Sequence, residues 1–166
     1  MGSQPIFMKS HTIHEIQKEL NTLDKKGVLD LCMRLAKHKK ENKELLSYLL
    51  FDVNDEKEYL EKVKKEIDLL FHDINRKSAY TTKKGLQKVV RHLTKFIKNS
   101  SKKETELDLR IYFCKKVRSA RIDLDSSKII SNLYYREIDK IKTAFSKLHE
   151  DLQYDYKDDL EKLSII

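Results

Sequence analysis

Five cations set the first question about this chain. Lys84, Lys88, Arg91, Lys95 and Lys98 recur at steps of four, three, four and three, so on a helix they line one side. Such a stripe attracts phosphates or carboxylates, and phosphate contact needs only positive charge at suitable spacing. Lys102, Lys103, Arg110, Lys115, Lys116, Arg118 and Arg121 follow. Lys115 and Arg118 join the stripe as candidate partner- or phosphate-binding residues. Tyr80 and Tyr112 are candidates for stacking on bases.

The other reactive side chains point to less. His11 and His14 share a side of an early helix, but a zinc site needs further ligands and no HExxH or Cys/His set accompanies them. Glu66 with Asp68 and Glu137 with Asp139 are spaced two apart, which sends them in different directions on a helix. Solvated helix faces are the expected setting for both pairs. Cys114 lies beside Lys115 and Lys116, which would lower an exposed thiol's pKa, but its apolar seam argues for burial. The sequence contains no phosphate-binding loop, dinucleotide turn or nucleophile elbow. No catalytic residue, metal or cofactor is expected, and the chain reads as a non-enzyme.

Composition supports a helical frame for the stripe. The 166 residues include three glycines, one proline and no tryptophan, and 37% are charged; so few breakers among many Lys, Glu and Leu favour an all-α protein. The net charge of +8 is unevenly placed. Residues 75–121 carry 15 Lys and Arg against three acids, whereas residues 52–74 and 122–166 are net acidic. An acidic partner is therefore expected for the central region. The two cysteines make no disulfide framework. With no membrane-length apolar run or signal-peptide core, the expectation is a cytoplasmic protein without membrane contact. Residues 1–9 are expected to be disordered or introduced by cloning, with a natural start at Met8.

About seven helices must position these residues. Thr12 or Ser10 caps a first helix with Ile13, Ile16 and Leu20 inward, and Asp24 caps a second with Val28, Leu31, Cys32 and Leu35 inward. A third carries Leu45, Leu46, Leu49, Leu50 and Phe51, apolar nearly all round, so it is expected to be buried on several sides. The fourth, about 55–74, presents Tyr59, Leu60, Val63, Ile67, Leu70, Phe71 and Ile74. The striped fifth helix sets Leu86, Val89, Val90, Leu93 and Ile97 opposite its cations. The sixth shows a seam of Leu107, Ile111, Cys114 and Val117; the seventh runs from Ile130 through Leu148. Leu152, Tyr156, Leu160 and Leu163 continue the seventh or form a separate helix. His149 to Glu161 holds six acids and one lysine, a tail able to fold over the basic face or merely to cap the core.

An internal duplication is also expected. Lys25-Lys26-Gly27-Val28 is echoed by Lys83-Lys84-Gly85-Leu86, Leu31 and Leu35 by Val89 and Leu93, and Leu45, Leu49 and Phe51 by Leu107, Ile111 and Phe113. Candidate repeats are 24–74 and 83–148, with 149–166 as a capping extension of one domain over 10–166. In helix length, order and short polar breaks the chain resembles the HEAT and armadillo class, which implies a right-handed α-α superhelix; an antiparallel helical bundle is the alternative. Lys25–Phe51 also resembles an uncharacterised bacterial helical family, which implies no activity. The expected function is a binding or scaffold protein presenting a basic face to an acidic protein segment, with nucleic acid as the alternative partner.

Overall fold

A computed structural model describes residues 10–165, and the expectation for residues 1–9 lies outside them. Among the described residues all regular structure is helical. In chain order it comprises α1 (Ile13–Leu20), α2 (Lys25–His38), α3 (Lys40–Ser47), a π-helical turn (Tyr48–Asp52), α4 (Glu56–His72), α5 (Ala79–Asn99), α6 (Lys103–Ser119), α7 (Lys128–Phe145) and α8 (Glu150–Lys162). No helix among them is long and apolar enough to cross a membrane. The chain divides into two compact units between Glu44 and Leu45.

The first unit is two capped helices and the start of α3. Thr12 accepts from the Glu15 amide while Glu15 reaches back to the Thr12 amide, closing a capping box, and Asp24 accepts from the Gly27 amide. The inward faces expected of α1 and α2 are not buried: Ile13 is 82% exposed and Leu35 60%. A segment this short has too little volume to enclose its own apolar side chains. The burial expected around the third helix is likewise limited. Leu45, Leu49, Leu50 and Phe51 are exposed, and only Tyr48 of the following π turn is buried.

The second unit holds the core. Tyr59 of α4 donates to the Phe96 carbonyl late in α5, and Ile74 beyond α4 meets Gly85 early in α5, so the two helices run antiparallel. Arg110 with Glu137 and Arg118 with Tyr134 show the same for α6 and α7. Glu56 with Thr105 and Asp68 with Tyr112 set α4 parallel to α6. Hairpins α4–α5 and α6–α7 therefore stack in two layers, with α4 on α6 and α5 on α7.

The expected seams fill the interior. Val63, Ile67 and Phe71 of α4, Leu86, Val89 and Leu93 of α5, and Ile130, Tyr134 and Ile141 of α7 are buried. In α6 the buried set goes beyond the expected seam. Leu109, Arg110 and Phe113 join Leu107, Ile111, Cys114 and Val117, because neighbours cover α6 on several sides. Cys114 is enclosed, and burial pushes its thiol up to about 12.

The acidic tail forms a separate helix. Ser146 to His149 break the chain, and α8 runs along α6 through Lys115 Nζ–Asp159 Oδ1 at 2.6 Å and Arg118 to the Lys162 and Leu163 carbonyls. Its described polar contacts reach α6 and the end of α7. Leu160 of α8 and Leu163 just after it are buried.

The sequence echoes occupy unlike settings. Gly27 is the third residue of α2, whereas Gly85 is the seventh of α5. A Cβ at Gly85 would lie 2.8 Å from Ile74 Cγ2 and 2.9 Å from its Cγ1. Ile74 is buried and β-branched, so it cannot swing aside. Gly85→Ala should therefore lower stability by about 1–3 kcal/mol, despite alanine's better helix propensity. Urea unfolding against Gly27→Ala, which meets only side chains of Asp24 and Leu23, measures the difference.

Candidate functional site

Most cations of α6 serve the fold. Arg110 is 5% exposed; its guanidinium binds Glu137, which is 2% exposed, and bonds Glu106 Oε1 at 2.8 Å through both Nε and Nη2. Glu137 also takes Lys140 Nζ at 2.7 Å. Glu137 is therefore not on a solvated face, and Arg110 is not a surface cation. A guanidinium this deep persists only when fully paired. The companion acids Glu66 and Asp139 are exposed, as expected.

Lys115, Lys116 and Arg118 also have internal work, whereas Lys103 at the start of α6 is exposed. Lys115 holds Asp159, and Lys116 meets Asp68 Oδ1 at 2.7 Å. Arg118 donates from Nε to the Tyr134 hydroxyl at 3.0 Å and from Nη1 and Nη2 to the last carbonyls of α8, both at 2.7 Å. A helix leaves its last carbonyls without intrahelical donors, and Arg118 supplies them. Tyr112 donates to Asp68 at 2.6 Å, and the Lys64 and Lys116 ammonium groups lie over its ring. Its stacking surface is thus already occupied.

The α5 cations are placed differently. Lys84, Lys88, Arg91 and Lys98 are exposed and Lys95 is half-buried. Lys88, Arg91 and Lys98 make no hydrogen bond or ion pair with the described residues. Over Ala79–Asn99 the sequence has six Lys and Arg and no acid. Tyr80 remains exposed, with the Lys83 and Lys84 ammonium groups 4.8 and 4.6 Å from its ring centre. A hydrogen bond and charge from Lys84 lower its pKa. On the same helix, burial lowers the His92 pKa, and Lys95, Lys88 and Arg91 reinforce this against Glu66.

One edge of the stripe opens into a groove of about 590 Å³ between α5 and α7. Gln87, Val90 and Arg91 form one wall, and Ile129, Asn132, Leu133, Arg136, Glu137 and Lys140 the other. Sequence reading missed the second wall. Its signal was available: Ile129, Leu133, Arg136 and Lys140 recur at steps of four, three and four, the spacing that marks the stripe. A second groove, in the first unit, is lined by His11, Glu15, Ile16, Lys18, Glu19, Leu20, Leu23 and Leu31. His14 is not among its lining residues. Among the described residues no three His, Cys, Asp or Glu side chains converge as a metal site would require.

Two outcomes follow from these placements. Glu137→Ala should lower stability by about 3–5 kcal/mol by leaving Arg110 short of its partner, whereas Arg110→Met with Glu137→Met should cost much less; urea unfolding distinguishes them. Burial, with Lys95, Lys88 and Arg91, holds the His92 pKa below its ordinary value, so its positive charge is favoured only as the solution is acidified. Acidification from about pH 7.5 to about pH 5.5 should therefore strengthen polyanion binding, and His92→Gln should reduce that gain in fluorescence anisotropy.

No protein family, curated protein or solved structure matches the chain.

Proposed function

We propose that this is a non-enzymatic, cytoplasmic helical protein that binds an acidic protein segment on the outer face of α5. One observation carries the reading. Lys84, Lys88, Arg91 and Lys98 stand exposed without ion pairs among the described residues, while Arg110, Lys115, Lys116 and Arg118 are paired internally. A cation left unpaired on a rigid helix retains its field for an incoming anion. The HEAT/armadillo-like organisation belongs to the same proposal. It is supported by the layered stacking of hairpins α4–α5 and α6–α7.

The second reading is nucleic-acid binding through the phosphate backbone. It is favoured by the acid-free run of α5 and by exposed Tyr80, whose neighbours Lys83 and Lys84 hold ammonium groups at its ring where a phosphate would meet them. Anisotropy titrations with poly-glutamate, single-stranded DNA and RNA at several salt concentrations separate the two. Replacing Lys88, Arg91 and Lys98 by Gln should weaken poly-glutamate binding by roughly ten-fold or more without shifting Tm. Tight binding of nucleic acid alone, with the salt slope reduced in the variant, selects the second reading. Binding of neither polymer at low salt rejects both.

A further inference from the structure

The groove between α5 and α7 carries the proposal further, on the reading that the partner is an acidic protein segment. Its chemistry changes along its length. Val90, Ile129 and Leu133 give an apolar strip, and Arg91, Arg136 and Lys140 bring positive charge beside it. These cations are not equivalent. Lys140 is neutralised by Glu137 at 2.7 Å, whereas Arg91 and Arg136 form no hydrogen bond or ion pair with the described residues.

We propose that this groove receives one acidic amphipathic helix from a partner protein. The partner's apolar residues would lie on Ile129, Leu133 and Val90, and its carboxylates would meet Arg91 and Arg136. From Ile129 to Lys140 the wall rises about 16 Å along α7, or three helical turns, which matches a short helix laid against it. Carboxylates suit the two guanidinium groups because both can accept paired N–H bonds. A bare phosphate chain has nothing to place on the apolar strip, and an uncharged apolar helix would leave the arginines without counter-charge. The chain's own acidic helix is already engaged. Leu160 of α8 is buried, and Asp159 holds Lys115.

The test uses the full chain with two fluorescein-labelled synthetic peptides of about 16 residues, enough for four helical turns. Both contain the same Leu, Ala and Glu. In one, Leu recurs at steps of four, three and four with Glu alongside; in the other the order is scrambled. The ordered peptide should bind at least ten-fold more tightly by anisotropy. Arg91→Glu with Arg136→Glu should remove that advantage, and so should Ile129→Asp. Both variants alter exposed positions, and circular dichroism confirms that they fold.

Equal binding of the two peptides would overturn the helix-docking inference and leave the acidic-partner reading intact. An advantage that survives both variants would overturn the groove as its location. Binding of single-stranded DNA but neither peptide would overturn the acidic-protein reading itself. A dimer in sedimentation that the Arg91 and Arg136 variant dissolves would overturn the inference in favour of a second copy of this chain as occupant.

Discussion

The buried charge of Arg110 constrains the second unit more than any other single group. Removing a guanidinium from water costs several kcal/mol, and the cost is recovered only with close, well-directed partners. Glu137 of α7 and Glu106 of α6 are those partners, so the register between these helices is tied to one ion pair. Once that register is set, Arg118 reaches the Tyr134 hydroxyl and the end of α8. Lys115 meets Asp159 from the same helix. Arg110, Lys115 and Arg118 of α6 thus serve the interior, with Lys140 of α7 also on Glu137, whereas Lys88, Arg91 and Lys98 of α5 do not.

The ends of the helices repeat this division of labour. Glu56 accepts from Tyr48 at 2.8 Å, Ser100 at 2.6 Å and Thr105 at 2.5 Å, joining the π turn to the starts of α4 and α6. Burial opposes ionisation of this carboxyl, but the three hydroxyl donors outweigh it and hold the pKa low. Arg76 and Arg118 play the reverse part at carboxyl ends, donating to Ala120 and to Lys162 and Leu163. These polar side chains fasten the helix ends to one another.

Periodicity made the helices legible because a one-sided core imposes a 3.6-residue repeat. It therefore located the buried faces of α4, α5 and α7 from Val63, Val89 and Ile130 outward. It was less informative where that premise fails. Helix α6 is covered on several sides, so Leu109 and Phe113 are buried off the expected seam. Arg110 and Glu137 lie 27 residues apart, and charge pairing at that distance leaves no local pattern. In α1 and α2 the pattern is amphipathic, but residues 10–44 enclose too little volume to bury it. The stripe was visible in sequence; the groove beside it was not, since it exists only where α5 and α7 adjoin.

The division at Glu44 has a consequence for how the native state opens. No residue of α1 or α2 is buried, whereas α4 to α7 share one continuous core. Protection of amide hydrogens follows the free energy of the smallest opening that exposes them. Amides of Ile13–His38 are therefore expected to exchange through local fraying, ahead of those of Leu93, Cys114 and Ile141 in the core. The chain holds two classes of backbone hydrogen bond under one sequence, and they are separated in time rather than in kind.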